Sequence, residues 1–213
     1  MVNAECRGSV TVLLTDHKAT AIGTYKTKRR TRNQTMSQLK LILATPQNGL
    51  MANVIAEWDR QLMSRRFPKS ALEAVRTYEA QLQPDKAYGV YVLCTPDGTG
   101  GGTGPYEAFV HVNHAFPRSQ NPTLRMTWNR LAPRYEWSTE PVEDHARVFA
   151  NMLFGCMELS RGPLVSSEIK ILLYNHADRS FARRFVGGLT GIPLPFSVSL
   201  QGNWLHLEWH KED

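Results

Sequence analysis

The residues best suited to chemistry in this chain are cationic, and they are bunched. Lys26, Lys28, Arg29, Arg30 and Arg32 fall within seven positions, with Tyr25 directly before them. A local surplus of cations binds phosphate chains because it displaces their condensed counterions. Arginine adds a bidentate fork that lysine lacks, and an aromatic ring at the edge of the cluster can stack on a base. Met1 to Lys40 holds eight lysines and arginines against Glu5 and Asp16, a local charge of +6 that equals the formal charge of the whole chain. A solvated loop or a localisation signal has the same composition, so the run by itself does not fix a partner. Arg179 and Arg183, four residues apart on a helical stretch, share a face and could extend a basic surface.

Other candidate groups are weaker. Gly98 to Gly104 holds five glycines in seven residues. Backbone amides there could cradle an anion, but no Gly-Lys-Ser/Thr follows and strand rather than helix character resumes, so a flexible hairpin loop is the expectation. His111 and His114 would point to opposite faces of a strand, with no cysteine or carboxylate at a useful offset, and they read as structural. Cys6, Cys94 and Cys156 are odd in number and far apart, which argues against a disulfide framework and a zinc site alike. No serine or cysteine sits in a nucleophile elbow. Asp97 is the one catalytic candidate, and neither a metal nor a cofactor is expected.

With 42% hydrophobic and 21% charged residues, the 213-residue chain can bury a core without cross-links, and it reads as a single domain over 1–213 with a basic N-terminal segment at 1–40. Residues 1–20 lack a signal-peptide pattern, and no apolar run approaches the roughly 18 residues of a membrane span. The expected location is cytoplasmic, or nuclear in a host with a nucleus, and no membrane partner is expected.

The elements that would position these groups follow from periodicity. Ser9–Thr15 and Ala19–Lys26 are β-branched and read as adjacent strands; Leu39–Leu43 is a third strand or a short helix. Apolar residues at three- and four-residue intervals predict helices over Leu50–Met63 and Ser70–Leu82. Tyr88–Cys94 reads as a central strand, followed by strands at Tyr106–Val112, Leu124–Trp128 and Tyr135–Trp137. Ser138-Thr139-Glu140-Pro141 opens a helix whose buried stripe would be Val142, Ala146, Phe149, Ala150, Leu153 and Cys156. Glu168–Tyr174 is a strand, Asp178–Val186 a helix stopped by Gly187-Gly188, and Phe196–Leu200 with Trp204–Trp209 a hairpin. The fold class is therefore α+β: a mixed, largely antiparallel sheet with about four amphipathic helices packed on it.

From Tyr88 to Leu189 the order of strands and helices resembles the ribonuclease H-like fold. Asp97-Gly98 looks like that family's first aspartate and glycine, whose carboxylate set holds two metal ions that act on a phosphodiester. The resemblance implies a second acid near Arg147, where Glu143 and Asp144 fall one turn early, and a third at Asn175, where Asp178 falls three residues late. With that set degenerate, binding is implied rather than cutting. The sequence thus favours a non-catalytic nucleic-acid-binding protein contacting RNA or DNA phosphates. Two other readings stand beside it: a structural or assembly protein such as a viral or phage component, self-associating through Trp204 and Trp209, and a metal-dependent nuclease resting on Asp97.

Overall fold

In a computed structural model, the described residues run from 39 to 210 apart from 65, 67–71, 80–81, 83–87, 137–141 and 175. All of them belong to a compact unit spanning Met36–Asp213. Tyr25, the basic cluster Lys26–Arg32 and the two strands expected at Ser9–Thr15 and Ala19–Lys26 lie outside the described residues.

Among the described residues seven strands form one sheet in the order β1-β2-β3-β4-β5-β7-β6. They are β1 (Lys40–Leu43), β2 (Tyr88–Pro96), β3 (Gly102–Ala115), β4 (Thr123–Leu131), β5 (Glu168–Leu172), β6 (Phe196–Gln201) and β7 (Trp204–Trp209). Every neighbouring pair is antiparallel except β4 and β5, which run parallel. Helices α1 (Leu50–Ser64), α2 (Glu73–Glu79), α3 (Pro133–Glu136), α4 (Val142–Arg161) and α5 (His176–Leu189) complete the fold. The α+β class with a largely antiparallel sheet is as the sequence patterns predict. Among the described residues no helix is long and apolar enough to cross a membrane.

Local chemistry explains most boundaries. Asn48 caps α1, its Oδ1 accepting the amide of Leu50 at 3.2 Å, and Gly49 supplies the left-handed turn at φ 58°. Leu50, Met51, Val54, Ile55, Trp58 and Leu62 make the buried face of α1, with Trp58 donating its indole N–H to the Tyr106 carbonyl at 2.9 Å. Trp58 and Phe109 are both fully buried, their ring centroids 6.0 Å apart, and they anchor α1 to the middle of the sheet.

Several sequence expectations need correction. β2 is one strand in from the edge, and β4 is central. The segment Tyr135–Trp137 has strand character in its residues, but Pro133, suited to a first helical turn, starts the short helix α3 there. The buried stripe of α4 is rotated: Val148, Met152, Leu153, Cys156 and Leu159 are buried, while Ala146, Phe149 and Ala150 are only half-buried. Helix α5 runs through Gly187 and Gly188 to Leu189, because its buried side supports it past two poor helix formers. Only the first part of the glycine-rich segment is a turn. Gly102 and Gly104 lie within β3, where a Cβ would come within 2.2 Å of Cys94 Sγ and 2.7 Å of Glu57 Oε2 respectively.

Close packing of α4 on the sheet edge generates a direct test. A Cβ on Gly155 would lie 2.5 Å from Leu41 Cγ and 3.1 Å from its Cβ, atoms fixed near the β1 backbone. The overpacking cost, about 1–3 kcal/mol, should exceed the roughly 1 kcal/mol that alanine gains over glycine in a helix. Gly155→Ala should therefore lower the urea midpoint without changing the slope, and a higher midpoint would show that β1 yields freely.

Candidate functional site

The parallel pair β4 and β5 sets up an opening in the sheet. Their ladder holds only from Thr123 opposite Glu168 to Met126 opposite Ile171; β4 then continues to Leu131, whereas β5 stops at Leu172. Ligands in sheets with parallel strands gather outside the carboxyl ends, where neighbouring connections depart to different elements. Here a cleft of about 380 Å³ lies at that place, lined by residues 128–131 of β4, Phe149 and Met152 of α4, and Tyr174 and Asp178 after β5.

The upper part of β4 presents backbone to this cleft. Ala132 donates its amide to the Glu107 carbonyl of β3 at 2.8 Å. Antiparallel alternation then turns Arg130 toward β3, and Asn129 and Leu131 away from it, toward the side on which β5 has already ended. No described strand pairs with Asn129 or Leu131 on that side. Two sets of N–H and C=O groups about 7 Å apart thus line one wall.

A β-bulge lies beside the cleft, one residue before its lining begins on β4. The pairing of β3 with β4 steps from His111 opposite Trp128 to Val112 opposite Met126, which leaves Thr127 as the extra residue. Two side chains converge on it. The Tyr174 hydroxyl donates to the Thr127 carbonyl, and His111 Nδ1 lies 2.6 Å from Thr127 Oγ1. Tyr78 packs over the same region, its ring centroid 5.0 Å from that of Trp128 and 5.2 Å from that of His111. Burial raises the pKa of the Tyr174 phenol, with the nearby Tyr78 adding to the shift, so the hydroxyl keeps its proton at neutral pH. Burial pushes the His111 pKa below its ordinary value, which leaves a neutral imidazole. A phenol that holds its proton and a neutral imidazole therefore stand beside one distorted peptide.

A second polar group sits where β4 ends. Glu107, only 5% exposed, accepts hydrogen bonds from Arg134 and from the Tyr135 hydroxyl. Gln61 Oε1 accepts the Arg134 amide at 3.1 Å, while Gln61 Nε2 donates to Glu57 at 2.9 Å. Burial works against the charge on Arg134, but Glu107 outweighs it and raises the guanidinium pKa. Burial and the bond to Glu107 push Tyr135 up to about 12. This network ties α1, α3 and β3 together at the end of β4, so it positions the strand rather than offering a reactive group.

The residues singled out from sequence are spread over the fold. Asp97 closes β2 and is spent on its own turn: its Oδ1 accepts the Thr99 amide at 2.8 Å, the Thr99 hydroxyl at 2.9 Å and the Gly101 amide at 3.1 Å. The bonds from Thr99, then that from Gly101, hold the Asp97 pKa down. The loop after Asp97 is therefore pinned. Asp97 and Asp178 follow strands separated by β3 and β4, a span of about 14 Å at ordinary strand spacing, so the fold does not bring them together. Among the described residues no three of His, Cys, Asp and Glu cluster as a metal site. His111 meets Thr127, whereas His114 Nε2 binds the Val165 carbonyl at 3.0 Å. Arg183 is exposed on α5, but Arg179 is half-buried and donates to Asn203 Oδ1 at 3.0 Å. Cys94 and Cys156 are buried, and desolvation pushes both thiols up to about 12, which leaves them unreactive.

No family model matches the chain, and no curated protein matches it. Among solved structures it is similar to an acetyltransferase from Thermus thermophilus at 14% identity and a TM-score of 0.37, over 79% of this chain and 94% of that one.

Thr127, Trp128, Tyr174 and the backbone that Asn129 and Leu131 turn toward the cleft carry no sequence signal. Each belongs to an ordinary strand pattern, and only the end of β5 makes them a site.

The depressed pKa of His111 predicts a pH effect on stability. The folded state resists protonating this ring while the unfolded chain accepts a proton at an ordinary pKa of 6.5. His111 therefore contributes stability that is fully present above pH 6.5 and is lost as pH falls toward the depressed folded value. His206 is shifted the same way, by burial and then by Lys170, so the two histidines add. Denaturation midpoints should fall as pH drops from about 7 to about 5, and His111→Gln should flatten part of that slope. An identical slope in the variant would remove His111 from the site as described.

Proposed function

We propose that the cleft between β4 and β5 binds the extended, amide-bearing arm of an acyl thioester and passes its acyl group to a nucleophile. The observation that carries this reading is the early end of β5, which leaves Asn129 and Leu131 facing a cleft that Tyr174 also lines, its hydroxyl bonded to Thr127 at the bulge. A free strand edge takes an extended chain by backbone hydrogen bonds. Because the bulge at Thr127 interrupts this edge, it suits an arm that enters from outside and stops with its tip there. A peptide strand passing through would need both ends clear.

The chemistry at the tip follows from the protonation states. Neutral His111, its Nδ1 engaged with Thr127, has Nε2 free of that bond to accept a proton from an attacking amine. Protonated Tyr174 can give its proton to the departing thiolate. Tyr78, Trp128 and Phe109 form an aromatic cluster on the His111 side of the site, while Tyr174 stays half exposed to solvent.

Calorimetry with acetyl-CoA and with an acetyl-pantetheine thioester should give saturable binding, and thiol release should follow when amines are supplied. Tyr174→Phe should lower the release rate about 100-fold with little change in arm affinity, because general acid catalysis contributes roughly 10²–10⁴. No binding of either thioester, or saturable binding of extended peptides in their place, would overturn the reading.

The charge asymmetry supports a second reading, in which the basic segment Lys26–Arg32, with Tyr25, engages RNA or DNA phosphates. The positive excess of the chain lies wholly within residues 1–40. Anisotropy of labelled RNA and DNA should rise on binding, fall steeply with salt, and be lost when Lys28, Arg29, Arg30 and Arg32 are changed to alanine. Binding that survives those substitutions, or its absence at low salt, would dispose of it.

A further inference from the structure

The two edges of the sheet differ. At β1 the edge is four residues long, begins with Lys40, and is packed by α4, with Gly155 close against Leu41. At β6 the edge is six residues long, Phe-Ser-Val-Ser-Leu-Gln, with no charge and no proline. Proteins that remain monomers usually protect such an edge with charge, proline, a bulge or a covering element, and among the described residues β6 pairs only with β7.

The backbone direction of β6 can be read from its neighbour. His210 donates its amide to the Pro195 carbonyl at 3.0 Å. Alternation then turns Ser197, Ser199 and Gln201 toward β7, and directs the N–H and C=O groups of Phe196, Val198 and Leu200 outward. The same three residues are half-buried along one face, whereas the serines and the glutamine lie exposed on the other. On the apolar side, a groove of about 550 Å³ runs between β6 and the end of α5, lined by Val186, Leu189, Ile192, Leu194, Phe196 and Val198. Ile192 is 46% exposed beside it.

We infer that β6 is a homodimer edge, pairing antiparallel with β6 of a second copy about a two-fold axis at Val198. This register sets Val198 opposite its copy, Phe196 opposite Leu200 and Ser197 opposite Ser199. Apolar therefore meets apolar on one face and polar meets polar on the other. On this axis Val198 meets its own copy, so a charge there would face its like; the edge carries none. A two-fold axis normal to the sheet also keeps both α5 helices and both grooves on the same face of the joined sheet. The proposed pairing does not use Trp209. Trp209 is spent within its own chain, under the Arg161 guanidinium at 3.9 Å, against Phe196 and donating to Ser160 at 3.2 Å.

Light scattering of the full chain at micromolar concentration should give twice the chain mass. Val198→Pro removes an outward donor without touching the β6–β7 ladder, and Val198→Lys places like charges opposite each other. Each variant should give the monomer mass, and Val198→Lys should keep the circular dichroism of the parent. Amide exchange at Phe196, Val198 and Leu200 should slow as the parent's concentration rises. A monomeric parent across that range, or a dimer indifferent to both substitutions, would overturn the inference.

Discussion

The structure depends on one short ladder, the four parallel registers that join β4 to β5. A parallel pair cannot be closed by a hairpin, so the chain between these strands must leave the sheet, cross one face as α4 and return. That crossover covers the sheet and sends α4 across to the edge strand β1. Because the ladder stops at Met126 and Ile171 while β4 continues, it also opens the cleft. The antiparallel meander β2-β3-β4 and the hairpin β6-β7 are the two halves that this ladder unites.

Backbone hydrogen bonding also orders the candidate site. The bulge at Thr127 frees a carbonyl for the Tyr174 hydroxyl and places a hydroxyl beside His111, and partial burial shifts both groups toward their neutral forms. At the far end of the same strand, the buried Glu107 is satisfied by Arg134 and Tyr135 from α3. A buried carboxylate without such partners would be costly, so this network fixes where β4 ends and where the chain turns toward α4. The two polar groups share a strand but differ in kind. One is saturated by internal partners, and the other pairs a phenol with a neutral imidazole at one bulged residue.

The sheet edges extend this distinction to assembly. Where α4 packs on β1, steric fit with Leu41 adds to the charge of Lys40 at that edge. At β6, apolar side chains and outward backbone groups are brought to the same place by the alternation that buries the other side of the hairpin.

Residue pattern alone settles the α+β class and most elements, because three- to four-residue and two-residue periodicities are local consequences of burying one face. The helix at Leu50–Ser64, the strands β2 and β5 and the terminal hairpin all carry that signal within their own residues. It also locates the charge excess, which is a property of composition. Where a boundary depends on packing elsewhere, the local signal misleads: glycines stop neither α5 nor β3, and Pro133 opens a helix within what resembles a strand. The candidate site is illegible for a stronger reason. Asn129 and Leu131 matter only because β5 is shorter than β4, and Tyr174 matters only because the crossover brings it 47 positions back along the chain to Thr127. Which strands become neighbours, and where each one ends, is decided by long-range hydrogen bonding and helix packing, and those are set only when the whole chain is folded.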